Sequence, residues 1–426
     1  GLVTIATPII ANGANAVNFS GTGTTLVSGN NTYTGATTIS GGTVQLGNAN
    51  ALGTTAAGTT VVTGATLDLN GQTVGAEAIT LAGALINSSG TAAALSGAVT
   101  LSAGTGDMVG GTGNMGITGL ISGTGLLTKL DPGTVTLTNT GSTFSGNIVV
   151  NAGTLATGAG TGGANGHLGV VSGARTITVN AGATLSFGAN NVFGGGSTAL
   201  TSLPTLVILG GTLKDVNYNI LGNMTLGNGA TMTSTLASTT GFTAFEFKGG
   251  ATVTVANTPG NTTGSSIATA GLNLGGTVTF NVNSVTGGAG ADLTVSAVVT
   301  NASSDNSSVP GVLVKNNTGT MLLTATNTYT GTTFVNGGTL QIGGAGKLGG
   351  ASGVYAGAVS VDGMFEYSST AAQTLSGAIG GYGALVKDTG TSSILALTGV
   401  SSGYGGAATV GAGMLQVGVA GGGRLG

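Results

Sequence analysis

Short runs in which apolar and hydroxyl residues alternate recur along the whole chain. In Thr176-Ile177-Thr178-Val179 the even-spaced positions carry Ile and Val on one side and Thr on the other. The same rhythm runs through 60–69 (TVVTGATLDL), 224–233 (MTLGNGATMT) and 272–281 (LNLGGTVTFN). A period of two predicts strands with one buried and one solvated face. Each run is only a few residues long and ends at Gly or Asn-Gly. These residues turn the backbone where a Cβ would clash. The pattern therefore predicts many short strands joined by tight corners, with no helix-period segment between them.

The strands also repeat at long range. Residues 31–53 (NTYTGATTISGGTVQLGNANALG) and 327–349 (NTYTGTTFVNGGTLQIGGAGKLG) have the same length and match at most positions. Segments 146–155 and 406–415 carry the same core. Two glycines stand seven apart in all four: Gly35 and Gly42, Gly146 and Gly153, Gly331 and Gly338, Gly406 and Gly413. A second element precedes three of the copies. It is an apolar pair, a Lys, a polar turn and a strand: LLTKLDPGTVTL at 126–137, VLVKNNTGTMLL at 312–323 and LVKDTGTSSILAL at 385–397. Units of this kind cannot bury enough surface alone and gain stability by stacking on their neighbours. The expected architecture is all-β, a β-solenoid with coils of roughly 20–25 residues. Val, Ile and Leu face a continuous core, and Asn residues form ladders at the corners. The repeats lie near 19–53, 123–158, 311–349 and 383–418, within one continuous solenoid over 13–426. Residues 1–12 form a cap or an exchanged strand.

Composition removes the main competitors. Charged residues are 4% of the chain, aromatic residues 4% and hydrophobic ones 40%, with 87 Gly among 426 residues. Disordered chains lack the branched aliphatic residues found throughout this one. Gly does not fall at every third position, which excludes collagen. No apolar stretch is long enough for a membrane-spanning helix, so no membrane span is expected. β-Sandwich domains need longer strands and more aromatic residues. The eight Lys and Arg residues (Lys129, Arg175, Lys214, Lys248, Lys315, Lys347, Lys387, Arg424) are scattered, and the net charge is -3. Nucleic acid is thereby excluded as a partner, because phosphates need a clustered basic face. There is no Cys, hence no disulfide framework.

The segments LTKLDPGTVTLTNTGSTFSGNIVVNAGTL and LVKNNTGTMLLTATNTYTGTTFVNGGTLQIG resemble the autotransporter-associated β-strand repeat of bacterial surface proteins. Asn31-Thr32-Tyr33-Thr34-Gly35 and Asn327-Thr328-Tyr329-Thr330-Gly331 carry its motif intact. Ser142-Thr143-Phe144-Ser145-Gly146 is a variant, and Ser402-Gly403-Tyr404-Gly405-Gly406 is weaker. The resemblance implies a right-handed parallel β-helix displayed outside the cell or on the bacterial surface.

Candidate chemistry is sparse. The one His, His167, reads as a turn residue on a solvated corner, and a single His with no Cys makes no zinc site. The carboxylates are Asp68, Glu77, Asp107, Asp131, Asp215, Glu246, Asp292, Asp305, Asp362, Glu366 and Asp388. A glycosidase needs two converging on one groove. Asp362 and Glu366 share strand parity, but Gly363 interrupts them. Lys214-Asp215 and Glu246-Lys248 read as local exposed ion pairs. Gly158 to Gly163 matches a dinucleotide-loop spacing by chance in so glycine-rich a chain, and Gly287 to Asp292 only resembles half of a calcium-binding nonapeptide, with Thr294 where an apolar residue is expected and no tandem copy. Phe242, Phe245 and Phe247 read as a core patch or a cap over the solenoid in preference to a docking surface. No catalytic residue, metal site or cofactor is expected, and no enzymatic activity.

A nearly uncharged surface favours self-association. The expected function is an extracellular structural protein that builds a fibre, sheath or filament from copies of itself. The apolar start, Leu2, Val3, Ile5, Ile9 and Ile10, is the candidate assembly strand, by β-augmentation. The alternative is an autotransporter passenger acting as an adhesin on a host or neighbouring cell surface. An adhesin calls for an aromatic or charged surface patch.

Overall fold

The computed structural model describes all residues except 11–13, 105, 160–164, 171–173, 194–202, 236–244, 303–308, 391, 402, 419–423 and 426. The chain divides into two compact units, Gly1–Gly195 with Leu200–Pro204, and Gly196–Ala199 with Thr205–Gly426. Each is a parallel β-helix. Among the described residues there is no α-helix, only one 3-10 turn at Gly350–Ser352. The one antiparallel pairing among the described residues is the small hairpin Asn165–Gly166 with Gly169–Val170.

In the first unit the coils stack three sets of strands. One set runs from Leu2–Ile5 through Thr24–Val27, Thr43–Leu46 and Thr66–Asp68 to Leu126–Lys129, Ile148–Val150 and Thr176–Val179. A second runs from Val17–Phe19 through Thr37–Ile39 to Ile121–Gly123. The third runs from Thr73–Val74 to Thr134–Leu137, Thr154–Thr157 and Thr184–Phe187. The second unit has its own stacks. One goes from Thr205–Leu209 to Ile379–Gly380, and another from Thr212–Asp215 to Ala408–Ala412. Two shorter stacks are Asn219–Leu221 to Val298–Asn301, and Val354–Tyr355 to Met414–Val417.

Alternation sets which residues are inside. In Thr176–Val179, Ile177 and Val179 have no solvent exposure while the threonines face outward. Register then stacks like on like. Val44, Leu67, Leu85, Val109, Lys129, Val150 and Val179 form one inward column of the first unit, each paired with the next. Such a column is buried on every rung, so removing one member opens a cavity between two neighbours. Coil length follows the expectation. Paired Thr24, Thr43 and Thr66 lie 19 and 23 residues apart. Longer coils occur where Ile148 pairs with Ile177 and Val278 with Leu313. The corner ladders are present too: Asn50 Nδ2 donates to Asn30 Oδ1 at 2.9 Å and Asn180 Nδ2 to Asn151 Oδ1 at 2.6 Å.

The repeat is not tied to one side of the coil. Residues 31–35 lead from Thr24–Val27, in the first set, to Thr37–Ile39, in the second. Residues 142–146 lead from Thr134–Leu137, in the third set, to Ile148–Val150, in the first. The motif thus stands at a different corner in the first copy than in the second, and residues 327–331 repeat the arrangement of the second, leading from Thr320–Leu323 to Thr333–Val335.

Candidate functional site

The repeated residues assemble into corner devices that bind one coil to the next. The Asn of the motif is buried and clips both neighbours. Asn31 Oδ1 accepts from the Ile9 N–H at 2.7 Å, and its Nδ2 donates to Ala51 O at 2.5 Å. Asn327 Oδ1 accepts from the Val299 N–H at 3.0 Å, and its Nδ2 donates to Lys347 O at 3.3 Å as well as to Ala325 O in its own coil at 2.9 Å. The ring two residues later fills the corner. Tyr33 and Tyr329 are buried and pair through their hydroxyls with Thr37 Oγ1 at 2.7 Å and Thr333 Oγ1 at 2.8 Å. In the variant copy both partners are apolar, Phe144 and Ile148, and both are fully buried. Burial raises the pKa of the Tyr33 and Tyr329 hydroxyls.

The two glycines seven apart have separate reasons. A Cβ on Gly35, Gly146, Gly331 or Gly406 would overlap the carbonyl oxygen of Asn15, Gly125, Gly311 or Gly383 in the preceding coil. Gly42, Gly153, Gly338 and Gly413 have φ of +66°, +61°, +58° and +79°, a conformation that side chains resist.

The lysines are the least expected part. Lys129, Lys315 and Lys387 have no solvent exposure. Lys129 and Lys315 sit in the inward columns, between Val109 and Val150 and between Phe280 and Val335. Each ammonium reaches the corner and donates to carbonyls of two successive turns. Lys129 Nζ binds Leu130 O, Asp131 O and Ala152 O at 2.6, 2.7 and 3.0 Å. Lys315 Nζ binds Asn316 O, Asn317 O and Gly337 O, each at 2.9 Å. The third acceptor in each set belongs to the residue before a positive-φ glycine. Lys387 donates to Thr389 O and lies 5.7 Å from the Tyr367 ring centre. Burial pulls Lys129 and Lys315 down to about 8, with Asp131 and Asp292 opposing.

Several expectations need correction. His167 is fully buried rather than on a solvated corner, and burial lowers its pKa. Asp215 does not pair with its neighbour Lys214, because adjacent strand residues point to opposite faces. Lys214 is exposed, and Asp215 is buried with its carboxylate on Asn219 Nδ2 (3.0 Å) and the Asn217 N–H (2.8 Å). Burial drives Asp215 up to about 7. Glu246 is likewise buried and accepts from the Tyr218 hydroxyl at 2.7 Å.

Asp362 and Glu366 do not converge on a groove. Asp362 lies exposed in a turn, and Glu366 accepts from Gln341 Nε2 at 2.8 Å within Met364–Ser369. Asp292 closes its own loop by accepting from the N–H groups of Val285, Thr286 and Thr320. Its oxygens are therefore committed to backbone donors. Phe245 and Phe247 are core residues, with Phe247 edge-on to Phe280 at 6.2 Å; Phe242 lies outside the described residues. So do Asp305, Ser402 and most of 158–163. No cluster of three or more His, Cys, Asp or Glu that could hold a metal occurs among the described residues.

The candidate assembly strand Leu2–Ile5 is the first rung and pairs in parallel with Thr24–Val27. Leu2, Val3 and Ile10 are exposed, while Ile5 and Ile9 are half-buried. Burial of Lys129, Arg175, Lys315, Lys387, Asp68, Glu77, Asp107, Asp215, Glu246 and Asp292 leaves few charges outside. Among the described side chains these are Lys214, Lys248, Lys347, Asp131, Asp362, Glu366 and Asp388. The surface is thus even less charged than the composition implies. One outward aromatic, Tyr382, was not singled out by sequence reasoning. It lies outside the repeat motif, and only the motif tyrosines carry a positional signal.

The family model of the passenger-associated transport repeat matches the chain at residues 20–46, 127–156 and 313–342. These three stretches are passenger repeats of the autotransporter kind, and they contain the lysine clamps at 129 and 315 and the motif around Tyr33, Phe144 and Tyr329. They point to a secreted or cell-surface protein. No curated protein and no solved structure matches the chain. No helix among the described residues is long and apolar enough to cross a membrane.

Proposed function

We propose that the chain is a surface-displayed passenger β-helix with a structural, non-catalytic role, and that copies of it associate into a fibre or sheath. The observation that carries the reading is the coincidence of the passenger repeats with the corner devices. The most regular parts of the sequence serve coil-to-coil stacking, not a cleft. The scarcity of surface charge supports association, since like charge is what usually keeps soluble chains apart. In such an assembly Leu2, Val3, Ile5, Ile9 and Ile10 are the candidate contact.

Negative-stain electron microscopy at low and high concentration tests the reading. Filaments that lengthen with concentration are the expected result. Isolated particles at every concentration would reject the fibre and leave the monomeric passenger. Thr80→Lys with Thr100→Lys places two charges on an exposed face and is expected to suppress association without changing the circular dichroism. Val3→Lys tests the first-rung residues in the same way.

A further inference from the structure

The second unit carries an outward ridge that differs from the rest of its surface. Register places Asn281, Asn316, Asn336, Asp362 and Tyr382 on five successive coils at one corner. Asn316 Nδ2 donates to Asn281 Oδ1 at 3.0 Å, and Asn336 Nδ2 donates to Asn316 Oδ1 at 2.9 Å. An amide has two N–H donors and two acceptor lone pairs, so each keeps bonding capacity beyond the ladder. At about 4.8 Å per rung the row spans roughly 19 Å. It ends on Tyr382, whose backbone N–H donates to Asp362 Oδ1 at 3.3 Å.

Tyr382 is 84% exposed, while every other described aromatic residue is buried or half-buried. Its ring lies against the backbone of Gly405 on the next coil, where a Cβ would come within 2.9 Å of Cδ1 and Cε1. Gly405 thus provides a flat bed for the ring. A ring held in place loses less freedom on binding than a mobile one.

We propose that this ridge binds an extended, neutral polysaccharide. Its chemistry selects that class. A pyranose has an apolar C–H face, which packs on the electron-rich face of an aromatic ring. It also has peripheral hydroxyls, which suit a row of amides and one carboxylate. No cationic side chain stands in the column, so phosphate-bearing chains are not favoured. The regular rung spacing suits a ligand that is itself a repeating chain. This goes beyond the structural role and does not depend on fibre formation.

The test is affinity electrophoresis of the whole chain through gels containing soluble cellulose derivative, glycol chitin or mannan, with tetramethylammonium chloride as a competitor. Retardation by at least one polymer is expected. Tyr382→Ala should weaken it tenfold or more, Tyr382→Phe should keep it, and Asn336→Ala should weaken it severalfold. Tyr382 is exposed, so these variants should keep the wild-type circular dichroism. The proposal is overturned if none of the three polymers retards the protein, or if Tyr382→Ala is retarded like the wild type. It is also overturned if tetramethylammonium abolishes retardation, since the ring would then be reading cations.

Discussion

The corner tyrosines allow a designed exchange that the chain already contains. Copy one pairs Tyr33 with Thr37, hydroxyl to hydroxyl at 2.7 Å, whereas copy two pairs Phe144 with Ile148. Tyr33→Phe removes one bond, but Thr37 still donates to Leu52 O at 3.2 Å. The expected cost is about 1 kcal/mol. Thr37→Ile strands the buried Tyr33 hydroxyl and removes the bond to Leu52 O, at about 2–3 kcal/mol. The double variant recreates the copy-two corner and leaves no stranded hydroxyl. It should therefore be less destabilised than the sum of the two, by about 1 kcal/mol or more. Urea unfolding followed by far-ultraviolet circular dichroism measures all four proteins under one condition, with tyrosine emission as a second probe since there is no Trp. Additivity within about 0.3–0.5 kcal/mol would refute the claim that the two residues act as a matched pair.

The buried charges predict an unusual pH profile. Asp215 has its folded pKa raised to about 7, so its stabilising contribution is present below 3.8 and is lost as pH rises through 7. Lys129 and Lys315 have folded values lowered to about 8, so their penalty persists below 8 and lifts as pH rises toward 10.5. Thermal midpoints should be lowest between pH 7 and 8, and higher at pH 5 and pH 9.5. Asp215→Asn should flatten the acid limb, and a monotonic profile would contradict this assignment. Above pH 10 stability should fall again, because burial holds Tyr355 up to about 12 and its ionisation opposes folding.

Lys315→Met removes a buried charge but leaves three carbonyls without their donor. A net loss of about 2 kcal/mol is expected by urea unfolding, against no change for exposed Lys214→Met; a stabilised Lys315→Met would show that desolvation outweighs the clamp. Gly146→Ala, which meets the Gly125 carbonyl, should cost about 3 kcal/mol or more. Gly64→Ala, with φ +82° and open space around it, should cost clearly less, and equal losses would show that the overlap at Gly146 relaxes as readily as the strain at Gly64.

The solenoid was legible because its two signals are local. Alternation gives the strands, and the Gly35–Gly42 type of spacing gives the corners. The lysines were not legible as core residues, since Lys in an apolar run normally marks a solvated face. Only the carbonyls of their own turn, completed by Ala152 O and Gly337 O from the next coil, make burial of Lys129 and Lys315 tolerable. Asp215 and Glu246 were misread for the same reason: their partners Asn219 and Tyr218 look like ordinary turn residues in sequence. The shift of the motif from one strand set to another was hidden because the repeat matches the length of a coil, not of a side. Tyr382 gave no signal of its own, because it lies outside the repeat motif and the glycine its ring lies against, Gly405, belongs to the following coil.

The uneven coils have an evolutionary consequence. Between Ile148 and Ile177, and between Val278 and Leu313, extra residues leave the pairing on both sides in register. A corner can therefore gain or lose a segment without rewriting its neighbours, and a whole coil can be duplicated onto any side. Such a chain can change what it displays by editing its corners one at a time while the scaffold beneath stays the same.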